Sequence, residues 1–119
     1  MLQTSSLQLE KILIETTLTN EERVTFINFF KKYKKNNFVY PGVIKRNTNL
    51  SYELIYEALF SLEKANIVKR QYEVSCGKCP MAIEEIYFSI DAIPEFYYCD
   101  ICNQELVAVD NAILIFKVV

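Results

Sequence analysis

Four cysteines, arranged as two pairs, are the residues of this sequence best suited to chemistry. Cys76 and Cys79 form one Cys-x-x-Cys motif, and Cys99 and Cys102 form a second after nineteen intervening residues. A two-residue gap lets both sulfurs of a motif face one ion, and four soft thiolates in a tetrahedral array suit Zn²⁺. The spacing therefore predicts a structural zinc site of the ribbon type with no open coordination position.

Other chemistry finds little support in the sequence. A thioredoxin-like redox site would need one such pair in a βαβ context, so a thiol redox protein is a remote alternative, as is an iron–sulfur cluster on the same four thiolates. The sequence contains no histidine, the side chain most often used for proton transfer near neutral pH. Its only glycines, Gly42 and Gly77, lie far apart, which excludes a P-loop. We expect a protein that is not an enzyme.

Composition sets broader limits on the function. The chain has 119 residues, of which 51% are hydrophobic and 24% charged, as in one globular domain or two small fused ones. A formal net charge of -2 argues against a protein held to nucleic acid by bulk electrostatics. We find no signal-peptide pattern and no apolar run long enough to cross a bilayer. These features predict a cytoplasmic protein without membrane contact, in whose reducing compartment paired cysteines are metal ligands.

The elements that must position the cysteines fall into three stretches, 1–18, 19–74 and 75–119. Within the first, residues 5–17 have helical spacing, with Ser5 and Gln8 as a capping box, although a strand over 11–14 is an alternative. The second begins with Thr19 and Glu22, another capping box, ahead of an apolar helical stripe that ends in the lysine run 31–35.

The rest of the second stretch predicts a short helix over 41–47, a turn at 48–50, a longer helix over 51–65 capped by Ser51, and a strand over 67–74. This order is typical of a winged helix-turn-helix. The third stretch predicts strands over 83–90, 95–98, 105–109 and 112–119. The expected fold class is α+β, with a winged helix-turn-helix core followed by a β-rich four-cysteine zinc ribbon.

The longer helix carries a second candidate site. Its face opposite the apolar stripe holds aromatic and acidic side chains, namely Tyr52, Glu53, Tyr56, Glu57 and Phe60. Carboxylates beside phosphates cost binding, whereas exposed aromatic side chains are typical anchors of protein interfaces. The face therefore favours a protein partner over DNA. Burial of Tyr56 and Phe60 under the ribbon or the N-terminal segment is an equally weighted alternative.

Basic residues cluster elsewhere in the second stretch. They are Lys31, Lys32, Lys34, Lys35, Lys45 and Arg46. Of these, Lys34, Lys35, Lys45 and Arg46 are candidates for contact with a DNA backbone, although a charge run at a helix end is usually just solvated.

A winged helix followed by a four-cysteine ribbon resembles the general transcription factor E of archaea and its eukaryotic relative. The sequence Phe96-Tyr97-Tyr98-Cys99-Asp100-Ile101-Cys102 is similar to the second ribbon knuckle of such proteins. The resemblance implies a module that docks onto RNA polymerase and promoter DNA. The chain differs in having almost no linker between the two parts, so that the ribbon takes the place of the wing.

The sequence therefore predicts a non-enzymatic zinc-binding adaptor or regulatory subunit that docks onto a protein partner, including one within a multiprotein complex. The alternative is a DNA-binding transcription regulator. The sequence is also compatible with self-association.

Overall fold

The computed structural model describes residues 5–79 and 81–119, and these form four α-helices and six β-strands. This mixture of helix and sheet confirms the α+β class. The chain divides into two compact units. The helical unit comprises the described residues up to Lys69 together with Phe116–Val119, and the cysteine unit comprises Arg70–Ile115.

The first two helices begin at the caps that the sequence predicts. Helix α1 spans Ser6–Leu13, and the Ser5 hydroxyl accepts a hydrogen bond from the Gln8 N–H. It is shorter than predicted because the Thr16 hydroxyl donates to the Leu13 carbonyl, which ends the helical pattern. Helix α2 spans Asn20–Phe30, and Thr19 with Glu22 forms the predicted capping box in both directions.

Helices α3, Pro41–Thr48, and α4, Tyr52–Lys64, form the predicted helix pair. The turn between them places Asn49 in the left-handed conformation at φ 59°, which Asn tolerates better than most residues. Ser51 then caps α4 by accepting from the Leu54 N–H. No helix among the described residues has the length and apolar content needed to span a membrane.

The core of the helical unit comes from the apolar stripes of its helices. Side chains on α1, α2, α3 and α4 are fully buried, among them Leu9, Leu13, Phe26, Ile44, Ile55, Leu59 and Leu62. Burying a side chain of this size contributes about 1.5–3 kcal/mol. The helical unit thus has an apolar interior of its own.

Strands β1, Phe38–Val39, β2, Val68–Val74, β3, Glu85–Tyr87, and β6, Ala112–Val118, form one sheet in the order β1-β6-β2-β3. The pairing of β1 with β6 places Phe38 opposite Lys117 and Val39 opposite Phe116. The Val119 N–H also donates to the Ile67 carbonyl. These contacts place the last four residues of the chain in the helical unit, whereas the sequence predicted boundaries of 19–74 and 75–119.

The cysteine unit holds a second sheet, the hairpin of β4, Phe96–Cys99, and β5, Gln104–Val107. The strand predicted over 83–90 is reduced to Glu85–Tyr87, because residues 83–84 are irregular, residues 88–89 form a bend and a 3₁₀ turn begins at Ile90. Between the strands predicted over 105–109 and 112–119 lies a 3₁₀ turn over Val109–Asn111.

Candidate metal centre

The first cysteine pair lies in the connection between β2 and β3. Cys76 is buried and Cys79 is half-buried. The Cys79 N–H faces the Cys76 carbonyl at 3.4 Å, and the Ala82 N–H donates to the Cys79 carbonyl at 2.9 Å. A Cβ added to Gly77 would meet nothing within 4 Å. A side chain at position 77 would therefore fit in this turn.

The second pair is held by the β4–β5 hairpin. Cys99 ends β4 opposite Gln104, and the Asn103 N–H donates to the Cys99 carbonyl at 2.8 Å. Asn103 takes the left-handed conformation at φ 58°, and its side-chain oxygen accepts from the Tyr98 hydroxyl at 2.7 Å. The tight turn brings Cys102 back towards Cys99.

The four sulfurs converge within the cysteine unit. All four Sγ atoms lie within 4.8 Å of one another, and the Cys76 and Cys102 sulfurs are 3.9 Å apart. Four thiolates around one zinc at the usual Zn–S distance of about 2.3 Å would be about 3.8 Å apart in a regular tetrahedron. The cluster could therefore hold one metal ion after a small contraction, and all four donors are of the same soft type.

Apolar side chains surround the sulfurs. Cys76 and Cys99 belong to a buried cluster with Val74, Tyr97 and Ala108. The Tyr97 hydroxyl donates to the Ile83 carbonyl, and burial raises the pKa of this tyrosine. A shell of this kind limits access of water to the sulfurs.

The thiols differ in acidity because their surroundings differ. The backbone N–H of Cys102 donates to the Cys99 sulfur and lowers the pKa of that thiol to about 7. Burial raises the pKa of Cys79 to about 12, with hydrogen bonds to the neighbouring sulfurs acting in the same direction. Backbone N–H groups thus donate to the Cys99 sulfur, as they do to metal-bound thiolates in zinc knuckles.

The predicted partner face on α4 is partly covered. Tyr52, Tyr56 and Phe60 form a column with ring centroids 6.4 and 5.9 Å apart, and Phe60 meets Phe116 of β6 edge-on at 5.7 Å. Tyr52 is 48% exposed, whereas Tyr56 and Phe60 are half-buried. Burial raises the pKa of Tyr56.

The two glutamates of that face differ in their surroundings. Glu53 is exposed in the first turn of α4. Glu57 instead accepts hydrogen bonds from the backbone N–H and the hydroxyl of Thr17, at 2.8 and 2.5 Å. Glu57 therefore joins α4 to the segment after α1, a role that its position in the sequence did not suggest.

The predicted DNA-contacting residues lie at two places in the helical unit. Lys34 and Lys35 are exposed in the turns after α2. Lys45 and Arg46 lie in the last turn of α3, and the Lys45 ammonium is 5.9 Å from the centre of the Tyr52 ring. Among the described residues, no contact joins Lys34 and Lys35 to Lys45 and Arg46.

A further feature escaped the sequence reasoning, namely the partition of charge. The cysteine unit has two basic and eight acidic residues, a formal net charge of -6. The helical unit has eleven basic and seven acidic residues, a net charge of +4. Counting charges by predicted domain would have revealed this asymmetry.

A scan against models of protein families matched none of them, and searches of curated proteins and of solved structures likewise found no match.

Proposed function

We propose that this protein is a non-enzymatic adaptor or regulatory subunit, a winged helix that carries a structural zinc site and docks onto a protein partner. The all-thiol donor set supports zinc, because soft thiolates in tetrahedral array favour Zn²⁺ and leave no position open for substrate. The absence of histidine from the sequence agrees with a binding role.

The strand order supports the winged-helix part of the proposal. β1 follows α2, the helix pair α3 and α4 comes next, and β1, β6 and β2 are adjacent strands of one sheet. This is a helix-turn-helix followed by a small sheet. The segment that carries the four cysteines lies between β2 and β6. In a winged helix the corresponding connection forms the wing.

One observation carries the docking role. Sixteen large apolar side chains are exposed among the described residues, and eleven of these belong to Arg70–Ile115. Exposed apolar side chains gathered in one small unit mark interaction surfaces, whereas single ones scattered over a protein need no explanation. They are Met81, Ile83, Ile86, Phe88, Ile90, Phe96, Tyr98, Ile101, Val107, Val109 and Ile113.

DNA binding is a second candidate because the helical unit is positively charged. Lys34, Lys35, Lys45 and Arg46 would contact phosphates in that case. Exposure argues against base reading by α4, since its only exposed side chains among the described residues are Tyr52, Glu53 and Lys64. A carboxylate at the start of a recognition helix opposes the approach of phosphates.

The salt dependence of complexes separates the two candidates. The adaptor role predicts a stoichiometric protein complex that is isolated with the native protein and survives moderate salt. DNA binding predicts retention on heparin at low salt with a steep loss as salt rises. Isolation of the native protein without a protein partner, even after crosslinking in the cell, would contradict the adaptor role. If that protein is also retained on heparin, DNA binding is the better candidate.

A further inference from the structure

The edge of the main sheet at β3 combines features that the zinc site does not explain. β3 is the last strand in the order β1-β6-β2-β3, so among the described residues its hydrogen-bonded neighbour in the sheet is β2 alone. An uncovered sheet edge presents backbone donors and acceptors that another chain can pair with. Natural proteins usually limit pairing at such edges with short strands, charge, proline or a covering element, and β3 itself has three residues.

The segment around this edge is apolar and exposed. Five of the ten residues from 81 to 90 are large apolar residues with exposed side chains, which are Met81, Ile83, Ile86, Phe88 and Ile90. Ile83 is 69% exposed and Phe88 is 72% exposed. Solvated apolar side chains along an open strand edge predict either aggregation or a partner that covers them.

The segment is nevertheless fixed to the cysteine unit. Ala82 is buried in the cluster that contains Cys76 and Cys99, and Tyr87 packs against the same cluster. Glu85 and Tyr87 pair with Val74 and Tyr72 of β2. A strand edge held in place in this way needs little reordering to bind, which favours affinity.

The negative charge around β3 limits which kind of partner can bind at this edge. Glu84 and Glu85 are exposed beside it, in a unit with a net charge of -6 whose basic residues are Arg70 and Lys78. Such a surface repels nucleic acid and anionic membranes. A second copy pairing through the same edge would bring like carboxylates together.

We infer that the β3 edge accepts an extended basic segment of a protein partner, which adds to the sheet as a further strand and covers the apolar side chains of residues 81–90. Backbone pairing would supply affinity, and attraction between its Lys or Arg side chains and Glu84 and Glu85 would select the sequence. This inference rests on the proposed docking function and names the chemistry of the partner.

Two peptides test the inference on the zinc-loaded full chain. Both have about six residues, one alternating Val with Lys and the other Val with Glu. In NMR titrations the Val-Lys peptide should shift the amide signals of residues 83–90 and slow hydrogen exchange in β3. It should bind about tenfold more tightly than the Val-Glu peptide and more weakly as salt rises.

Matched variants sharpen this test. Ile86→Lys and Glu84→Lys should each weaken binding of the Val-Lys peptide about tenfold. The controls Ile14→Lys and Glu15→Lys, at exposed positions of the helical unit, should bind it as the native chain does. Glu84 is exposed and outside any strand, so its variant keeps the test valid if Ile86→Lys does not fold.

Equal affinity for the two peptides, or amide shifts that spare residues 83–90, would overturn the inference. Concentration-dependent protection of β3 without peptide would identify a second copy as the occupant and overturn it too. If the native chain forms a protein complex, and the Ile86→Lys and Glu84→Lys variants still form it, then the partner does not bind at β3. The proposed adaptor function would remain supported in that case. Failure of the native chain to form any protein complex removes the adaptor function itself.

Discussion

The sulfur of Cys76 lies 3.9 Å from that of Cys102, although the two residues are separated by 26 positions in the chain. One sulfur follows β2 and the other lies in the β4–β5 turn, so the contact joins the main sheet to the hairpin inside the cysteine unit. The unit's buried side chains around the sulfurs are few and include the small residues Ala82 and Ala108. A metal crosslink at this point would therefore add stability to a unit with a small apolar interior.

Loss of one ligand should unfold the cysteine unit selectively. We expect Cys99→Ser to lose zinc and to abolish the dispersed NMR signals of residues 70–115, because folding of such a unit is coupled to metal binding. Signals of the helical unit should persist, since it has its own buried core.

The matched control for that variant is Gly77→Ala. An added Cβ there meets no atom within 4 Å, so this variant should keep both its zinc and its fold. A Cys99→Ser protein with full metal content and unchanged signals would contradict the structural role of the site.

The affinity of the four cysteines for zinc should increase with pH. Burial holds the pKa of Cys79 at about 12, so the metal-free thiol is protonated near neutral pH, and binding a metal must release its proton. Zinc affinity should therefore rise with pH and fall on acidification. Calorimetric titrations in two buffers of different ionisation enthalpy measure the protons released, and identical heats in the two buffers would exclude this coupling.

The helical unit should lose stability when its core is truncated. Leu59 is fully buried on α4, and Leu59→Ala should lower the free energy of unfolding by about 2–5 kcal/mol. Leu7 is 69% exposed on α1, so Leu7→Ala should change it by less than about 0.5 kcal/mol. Urea denaturation of the zinc-loaded chain compares the two, and similar losses would mean that α4 is not packed as described.

The hydrogen bonds from Thr17 to Glu57 should contribute to the fold. Glu57→Ala removes both acceptors and should cost about 1 kcal/mol, whereas Glu15→Ala on the exposed surface should be nearly neutral. Thermal unfolding of the two variants provides the comparison. An effect of Glu57→Ala on partner binding with no loss of stability would instead support the contact face that the sequence predicts on α4.

Local signals explain how much of the fold was readable from the sequence. The capping box of Thr19 and Glu22, the cap at Ser51 and the turn at Asn49 each depend on residues within three or four positions. Such signals are independent of distant packing, and the predicted helices are confirmed, although α1 ends four residues earlier than predicted. The cysteine spacing likewise predicted that four sulfurs would converge, as they do.

The features that the sequence did not indicate depend on distant contacts. β1 has only two residues, too few for any periodicity, and it exists because Phe38 and Val39 pair with the C-terminal strand. The role of Glu57 depends on Thr17, 40 positions away. The exposed edge at residues 81–90 appeared to be an ordinary strand, since apolar alternation cannot distinguish a buried face from an uncovered one.

Metal analysis of the native protein tests the central claim most directly. Protein prepared without added metal should contain one zinc per chain, with all four thiols unreactive towards alkylating reagents until a chelator is added. A folded cysteine unit that contains no zinc, or one in which these four residues carry iron or form disulfides, would contradict the account.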